Sequence, residues 1–237
     1  MAKKNTPLTL AIDIGGSGLK MMVLDASGKS VTERTKVETP HPATPSAILQ
    51  CLWSMLPHHG RFDRVSVGFP GVVLKGVVKT APNLDHTWEG FDLAKRITTR
   101  TKKPVRVTND ADMQGYGDIK GRGVELVVTL GTGMGSALFV DGQLVPNLEL
   151  GHHPFHKSKT YEDLLGKRGL EHDGKSKWNK HLKQAIKLWA QTFNFDVLYI
   201  GGGHATRVKQ GLPRNVHITS NLAGLLGGIR LWKDQPR

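Results

Sequence analysis

Leu8–Ile14 is apolar except at Thr9 and Asp13, the pattern of a strand buried on both faces. It ends in Gly15-Gly16-Ser17-Gly18, and Leu19–Asp25 and Val31–Glu38 continue as strands around a turn at Ser27-Gly28-Lys29. Three strands joined by tight turns predict an antiparallel start. Thr39–Pro45 reads as a loop, and Pro45–Leu56 carries apolar residues at helical spacing. Arg64–Phe69 is a further buried strand closed by Pro70-Gly71. Phe91–Thr99 reads as a helix and Val105–Thr108 as a short strand.

The second half repeats this opening. Val124–Leu130 leads into Gly131-Thr132-Gly133, followed by strand Ser136–Val140 and the turn Asp141-Gly142. Thr160–Arg168 and Ser176–Gln191 read as helices, the second with Trp178, Leu182, Ala185, Ile186 and Trp189 on one apolar face. Val197–Ile200 is a buried strand into Gly201-Gly202-Gly203, and Asn221–Trp232 reads as a closing helix. The repeat predicts an α/β protein of two lobes, residues 1–108 and 109–237, with the closing helix packing back on the first lobe. No low-complexity linker interrupts the chain, and no helix-turn-helix precedes the first strand.

At 237 residues and 38% hydrophobic content, the chain can bury a core in each lobe. The single cysteine, Cys51, excludes an internal disulfide and any cysteine-rich zinc site. No stretch approaches the ~20 apolar residues of a membrane span, and the start has no signal-like apolar run, so a cytoplasmic location is expected. The net charge of +13 points to an anionic partner. It is uneven: 16 Lys+Arg face 8 Asp+Glu over residues 1–109, 2 face 6 over 110–151, and 15 face 6 over 152–237. Carboxylates between cationic flanks suit chemistry on a bound anion. Nucleic acid is disfavoured, because neither interleaved aromatics nor a known binding module is present.

Three glycine-rich turns sit at strand ends: Asp13-Ile14-Gly15-Gly16-Ser17-Gly18, Gly131-Thr132-Gly133-Met134-Gly135 and Gly201-Gly202-Gly203. Such turns let backbone N–H groups reach phosphate oxygens, and the Ser17 and Thr132 hydroxyls add donors. None is a Walker A loop or a dinucleotide-binding turn. Asp13, at the end of a buried strand, either orients Mg²⁺ and phosphate or initiates the turn. Asn109-Asp110-Ala111-Asp112 follows a strand and opens a helix. Asp110 has the chemistry to orient a hydroxyl and accept its proton, and equally that of an N-cap. Asp112 reads as a first-turn carboxylate. Glu149 and His152 can together hold several hydroxyls, while His152, His153 and His156 lack the further ligand a metal site requires.

In order along the chain, Asp13-Ile-Gly-Gly-Ser-Gly, Phe69-Pro-Gly-Val-Val, Pro82-Asn-Leu-Asp, Trp88-Glu-Gly, Asn109-Asp-Ala-Asp, the run Thr129–Phe139, Val145-Pro-Asn-Leu-Glu-Leu-Gly-His and Gly201-Gly-Gly resemble the repressor, open reading frame, kinase (ROK) sugar kinases. Within that family they look most like its polyphosphate glucokinase branch. The resemblance implies an actin-like ATPase (ribonuclease H-like) fold. It also implies Mg²⁺-dependent transfer of a phosphoryl group from polyphosphate or ATP to the 6-hydroxyl of glucose. Asp110 would be the general base and Asn109 would bind the neighbouring 4-hydroxyl. Gly71 and Asn83 would line the sugar pocket, and Glu149 and His152 would hold hydroxyls towards the anomeric end. Asp13, Gly15, Gly16, Ser17, Lys20, Gly131, Thr132, Gly133, Gly202 and Gly203 would line the donor side, with Asp13 on the metal. A homodimer is expected.

The chain departs from the family pattern in two places. The cysteine-rich zinc motif of ATP-using members is absent, as in the polyphosphate branch, and the family's further glutamate has only Glu162 as a candidate. From His152 to Ala190, nine Lys+Arg face four acids, which reads either as a polyphosphate-binding face or as a solvated helix. The rival functions are a non-catalytic sugar sensor on the same scaffold and an ATP-dependent kinase of another hexose.

Overall fold

A computed structural model describes residues 6–219 and 223–232. The chain divides into two compact units, Met1–Gly117 with Gly224–Arg237, and Asp118–Ala223.

The first unit is built on β1 (Thr9–Ile14), β2 (Gly18–Leu24), β3 (Thr35–Glu38), α1 (Pro45–Met55), β4 (Arg64–Phe69), the small hairpin β5 (Val73–Leu74) and β6 (Val77–Val78), α2 (Leu93–Thr101), β7 (Val105–Asn109) and α3 (Asp110–Asp118). Its sheet has the order β3-β2-β1-β4-β7. The β1–β2 and β2–β3 pairs are antiparallel, and β1–β4 and β4–β7 are parallel. Both faces of β1 are covered, which is why its sequence is apolar nearly throughout. Leu10, Ile12 and Ile14 pack with Ile48, Leu49, Leu52, Leu93 and Ile97, while Ala11 packs with Met22, Leu24, Leu225 and Ile229.

The second unit repeats the plan with β8 (Val124–Leu130), β9 (Met134–Val140), β10 (Gln143–Val145), β11 (Pro154–His156), β12 (Lys159–Thr160), α4 (Tyr161–Leu165), α5 (Lys167–Phe193), β13 (Val197–Gly201) and β14 (Val216–Ile218). Its main sheet runs β10-β9-β8-β13-β14, again with two antiparallel pairs and then two parallel ones. The five residues assigned to one face of α5 are all buried against Leu126, Val128 and Leu130 of β8. Gly174, at φ 69° and ψ 162°, breaks α5 internally.

Three expectations change. The units part after Gly117 instead of before Asn109. Strand β7 is the edge strand, paired in parallel with β4 and with Asn109 opposite Phe69, so β7 and α3 complete the first sheet layer. The closing segment is a short α6 (Ala223–Leu226) followed by a 3₁₀ stretch, Gly227–Trp232, and Asn221 and Leu222 lie outside the described residues. That stretch is anchored on the first sheet: the Ser66 hydroxyl donates to Gly228 O (2.6 Å), and Trp232 Nε1–H donates to Ser66 Oγ (2.8 Å). Finally, β3 is confined to Thr35–Glu38. The preceding segment keeps one backbone bond to β2, Val31 N–H to Val23 O at 2.8 Å, and side chains hold the rest: Thr32 Oγ1 accepts from Val23 N–H, and His59 sits between Thr32 and Thr35 at 2.9 and 2.8 Å. Burial holds His59 below the usual imidazole range.

Candidate active site

In the first unit, two groups of expected residues form at the ends of the sheet strands. Asp13 on β1 faces Lys20 on β2 in the antiparallel register, and Lys20 Nζ lies 2.7 Å from Asp13 Oδ2. The Asp13 side chain is 17% exposed, so one oxygen is neutralised at the rim of the sheet beside the first glycine turn. That turn closes through Gly15 N–H donating to Gly18 O at 3.0 Å, and Thr39 Oγ1–H ties Gly15 O at 2.5 Å.

The second group surrounds the start of α3. Asn109 is buried at the end of β7, and its Oδ1 accepts from the N–H groups of Ala111 (2.8 Å) and Asp112 (3.2 Å). This is the N-cap role. The cap therefore falls on Asn109, and Asp110 is the first helical residue, its Oδ1 accepting from Ala111 N–H at 2.7 Å. Asn109 Nδ2–H also donates to Gly71 O at 3.3 Å, joining two of the expected sugar-pocket residues. Glycine is required at 71, since a Cβ there would stand 2.1 Å from Thr80 O. Gly68 likewise lets β4 approach Asp110, whose Cα would lie 3.3 Å from any added Cβ. Asn83 is exposed on the turn closed by Leu84 N–H donating to Ala81 O.

In the second unit, the other two glycine turns lie side by side, because β8 and β13 pair in parallel with Thr129 opposite Gly201. Ligands bind beyond the carboxyl ends of parallel strands. Gly202 has φ 86°, and a Cβ on it would meet Leu130 O at 2.4 Å. His204 N–H donates to the same oxygen at 2.9 Å. The Gly131–Gly133 turn closes by its own 3.0 Å bond, and Thr132 O accepts from Lys167 N–H (3.2 Å) at the start of α5.

Glu149 and His152 form a second cluster in this unit, with His152 Nε2 3.4 Å from Glu149 Oε2. Burial pushes the Glu149 carboxyl up; His152 opposes this and the nearby charge of Glu162 adds to it. Glu162, on α4, accepts from Met134 N–H at 2.9 Å, so it sits at the same corner as the Gly131–Gly133 turn. The segment carrying Glu149 is held by a residue that sequence patterning did not single out. The buried Ser136 hydroxyl donates to Leu148 O and accepts from Leu150 N–H (3.2 Å), gripping both neighbours of Glu149. Gly151 then packs on β9, where a Cβ would meet Met134 O at 2.2 Å. Among the described residues, no group of three or more His, Cys, Asp or Glu converges to hold a metal, and no helix is long and apolar enough to cross a membrane.

Two units sharing one five-stranded plan, with glycine turns at strand ends, define the actin-like ATPase fold of the sugar kinases. A solved ROK glucokinase from Streptomyces griseus, in complex with glucose and AMPPNP, superimposes with a TM-score of 0.77 at 21% identity, over 94% of this chain and 98% of that one. The chain belongs to the ROK family, whose model matches residues 9–163. A polyphosphate glucokinase of Mycobacterium tuberculosis is 32% identical over 232 residues, which cover 91% of this chain and 88% of the relative. The crystal structure of an inorganic polyphosphate/ATP-glucomannokinase from Arthrobacter sp. strain KM matches with a TM-score of 0.86 and 32% identity, over 96% of this chain and 98% of that one.

Proposed function

We propose that this protein transfers the terminal phosphoryl group of inorganic polyphosphate, and also of ATP, to the 6-hydroxyl of glucose. The observation that carries this reading is similarity along nearly the whole chain to proteins named for that chemistry. Asp110 is the general base: its carboxylate takes the proton of the 6-hydroxyl as that oxygen attacks the terminal phosphorus. The bond from phosphorus to the bridging oxygen breaks, and the donor leaves shortened by one phosphate. The proton on Asp110 passes to solvent. The capping geometry supports this role, because Asn109 occupies the N-cap that would otherwise account for Asp110.

Asn109 and Gly71 position the sugar near its 4-hydroxyl, Asn83 lines the pocket, and Glu149 and His152 take hydroxyls at the anomeric end. Gly15, Gly16, Ser17, Lys20, Gly131, Thr132, Gly133, Gly202 and Gly203 hold the donor phosphates. Asp13, a carboxylate at the sheet rim beside the first glycine turn, would hold a magnesium ion together with the donor phosphates, as kinase sites use one or two carboxylates plus substrate phosphates. When bound, that ion neutralises charge on the transferring group. We read the protein as a cytoplasmic homodimer, the latter checked by light scattering.

The test is glucose 6-phosphate formation from polyphosphate and from ATP with Mg²⁺. Asp110→Asn should lower kcat by about 10²–10⁴-fold while glucose binding persists. Near-normal turnover in that variant refutes the base assignment. No product with either donor would leave a sugar-binding sensor as the surviving reading.

A further inference from the structure

The basic residues that follow the Glu149 segment do not form one uniform face. Lys167 pairs with Glu171 at 3.8 Å and Lys177 with Asp173 at 2.8 Å. Lys175, Lys183 and Lys187 are different. With Asn179 between the first two, they fall at successive i,i+4 positions along the outer part of α5, which is one ridge of a helix. All three lysines are exposed.

Asn179 is the joint of this ridge. Its Nδ2 donates to Lys175 O (2.8 Å) and to Arg207 O (3.2 Å), and its Oδ1 accepts from Lys209 N–H at 2.8 Å. One amide side chain thus fastens the 205–209 segment to the helix and brings two more exposed cations, Arg207 and Lys209, to the ridge. That segment follows Gly202-Gly203, and Gly202 is fixed by its close approach to Leu130. Among the described residues, none of the five cations forms an ion pair with an acid.

From this geometry we propose that Lys175, Lys183, Lys187, Arg207 and Lys209 form a track for the distal part of a long polyphosphate chain, starting at the third glycine turn. The inference rests on the donor reading above and extends it from the transferred end to the rest of the chain. Repeating, unpaired cations along a line suit a ligand whose every unit carries charge and little shape. The tryptophans of α5, Trp178 and Trp189, are buried in the core, so the ridge offers no stacking platform of the kind single-stranded nucleic acids use.

The test is the full-length triple variant Lys183→Glu/Lys187→Glu/Lys209→Glu, all at exposed positions, with Arg207→Gln as a milder second variant. KM is measured for long-chain polyphosphate, tripolyphosphate and ATP, and direct binding of labelled long-chain polyphosphate is followed against salt. KM for the long chain should rise about tenfold or more in the triple variant, with tripolyphosphate and ATP little changed. The salt slope of binding should flatten by about one per cation removed. Equal shifts for long and short donors, or no shift for either, overturns the track. So does binding of a single-stranded oligonucleotide as tight as that of polyphosphate and equally sensitive to the variant. If the unmodified protein forms no sugar phosphate from any donor, the proposed function fails, and the binding arm still decides the track.

Discussion

Ser136 makes the sharpest link between packing and the sugar recognition proposed for Glu149. Its buried hydroxyl donates to Leu148 O and accepts from Leu150 N–H, so replacing it by alanine strands one acceptor and one donor on either side of Glu149. Each lost bond is worth about 0.5–1.5 kcal/mol net, giving about 1–3 kcal/mol for the pair. If that loss is spent on ordering the 148–150 segment, glucose affinity falls roughly 5- to 150-fold, because 1.4 kcal/mol is tenfold. The expected signature of Ser136→Ala is a raised glucose KM with donor KM and kcat much less affected. Ser136→Thr, which keeps the hydroxyl, should recover part of the loss. Steady-state kinetics with glucose and ATP varied separately, beside a thermal melt, decide the matter. An unchanged glucose KM accompanied by a lower Tm would refute the reasoning, since the bridge would then support the fold without setting the sugar site.

Three further outcomes are expected. Glu149 has its carboxyl pushed up by burial, so its ionised form costs stability that is absent at low pH and felt as pH rises through its folded value. Glu149→Gln should therefore raise Tm at neutral pH, with a smaller gain in acid, while raising the glucose KM. Asp173 is the reverse case: hydrogen bonds from Lys177 and His172 hold its carboxyl well below the usual range, and His181 Nε2 lies 3.1 Å away. Its contribution is present above the ordinary aspartate range and lost as pH falls through the depressed value, so the Tm deficit of Asp173→Asn should be largest near neutrality and close in strong acid. Gly202→Ala places a Cβ 2.4 Å from Leu130 O at φ 86°, where left-handed backbone alone costs about 1–2 kcal/mol, and should weaken donor binding along with stability. A melt and donor KM measured together test it.

The parts of this protein legible in its sequence are those governed by a period. The double-sided burial of β1 writes itself as an apolar run, and the buried stripe of α5 repeats at helical spacing from Trp178 to Trp189. Some single glycines are legible for a related reason, because close backbone approach at Gly71, Gly151 and Gly202 admits no other residue. The unit boundary falls later than the sequence predicts because the first unit still takes one parallel strand and one helix, β7 and α3, before the second strand–glycine–strand motif begins at Val124.

Bonds from side chains to the backbone of turns and of other elements leave no pattern along the chain and are not legible in it. Glu125 looks like a polar break in β8. It is almost fully buried, and its carboxylate accepts from the N–H groups of Lys120, Gly121 and Arg122 at 2.8, 2.7 and 3.1 Å and from the Tyr199 hydroxyl. Burial, together with that bond to Glu125, pushes the Tyr199 hydroxyl up to about 12. Thr32, Ser66, Ser136 and Asn179 likewise tie side chains to backbone of another segment, from 9 residues away at Thr32 to 162 at Ser66. The candidate site combines both kinds of information. Asp13, Asp110 and the glycines come from local chemistry at strand ends. The hold on Glu149 by Ser136, and on the basic segment by Asn179, exists only once the chain has folded.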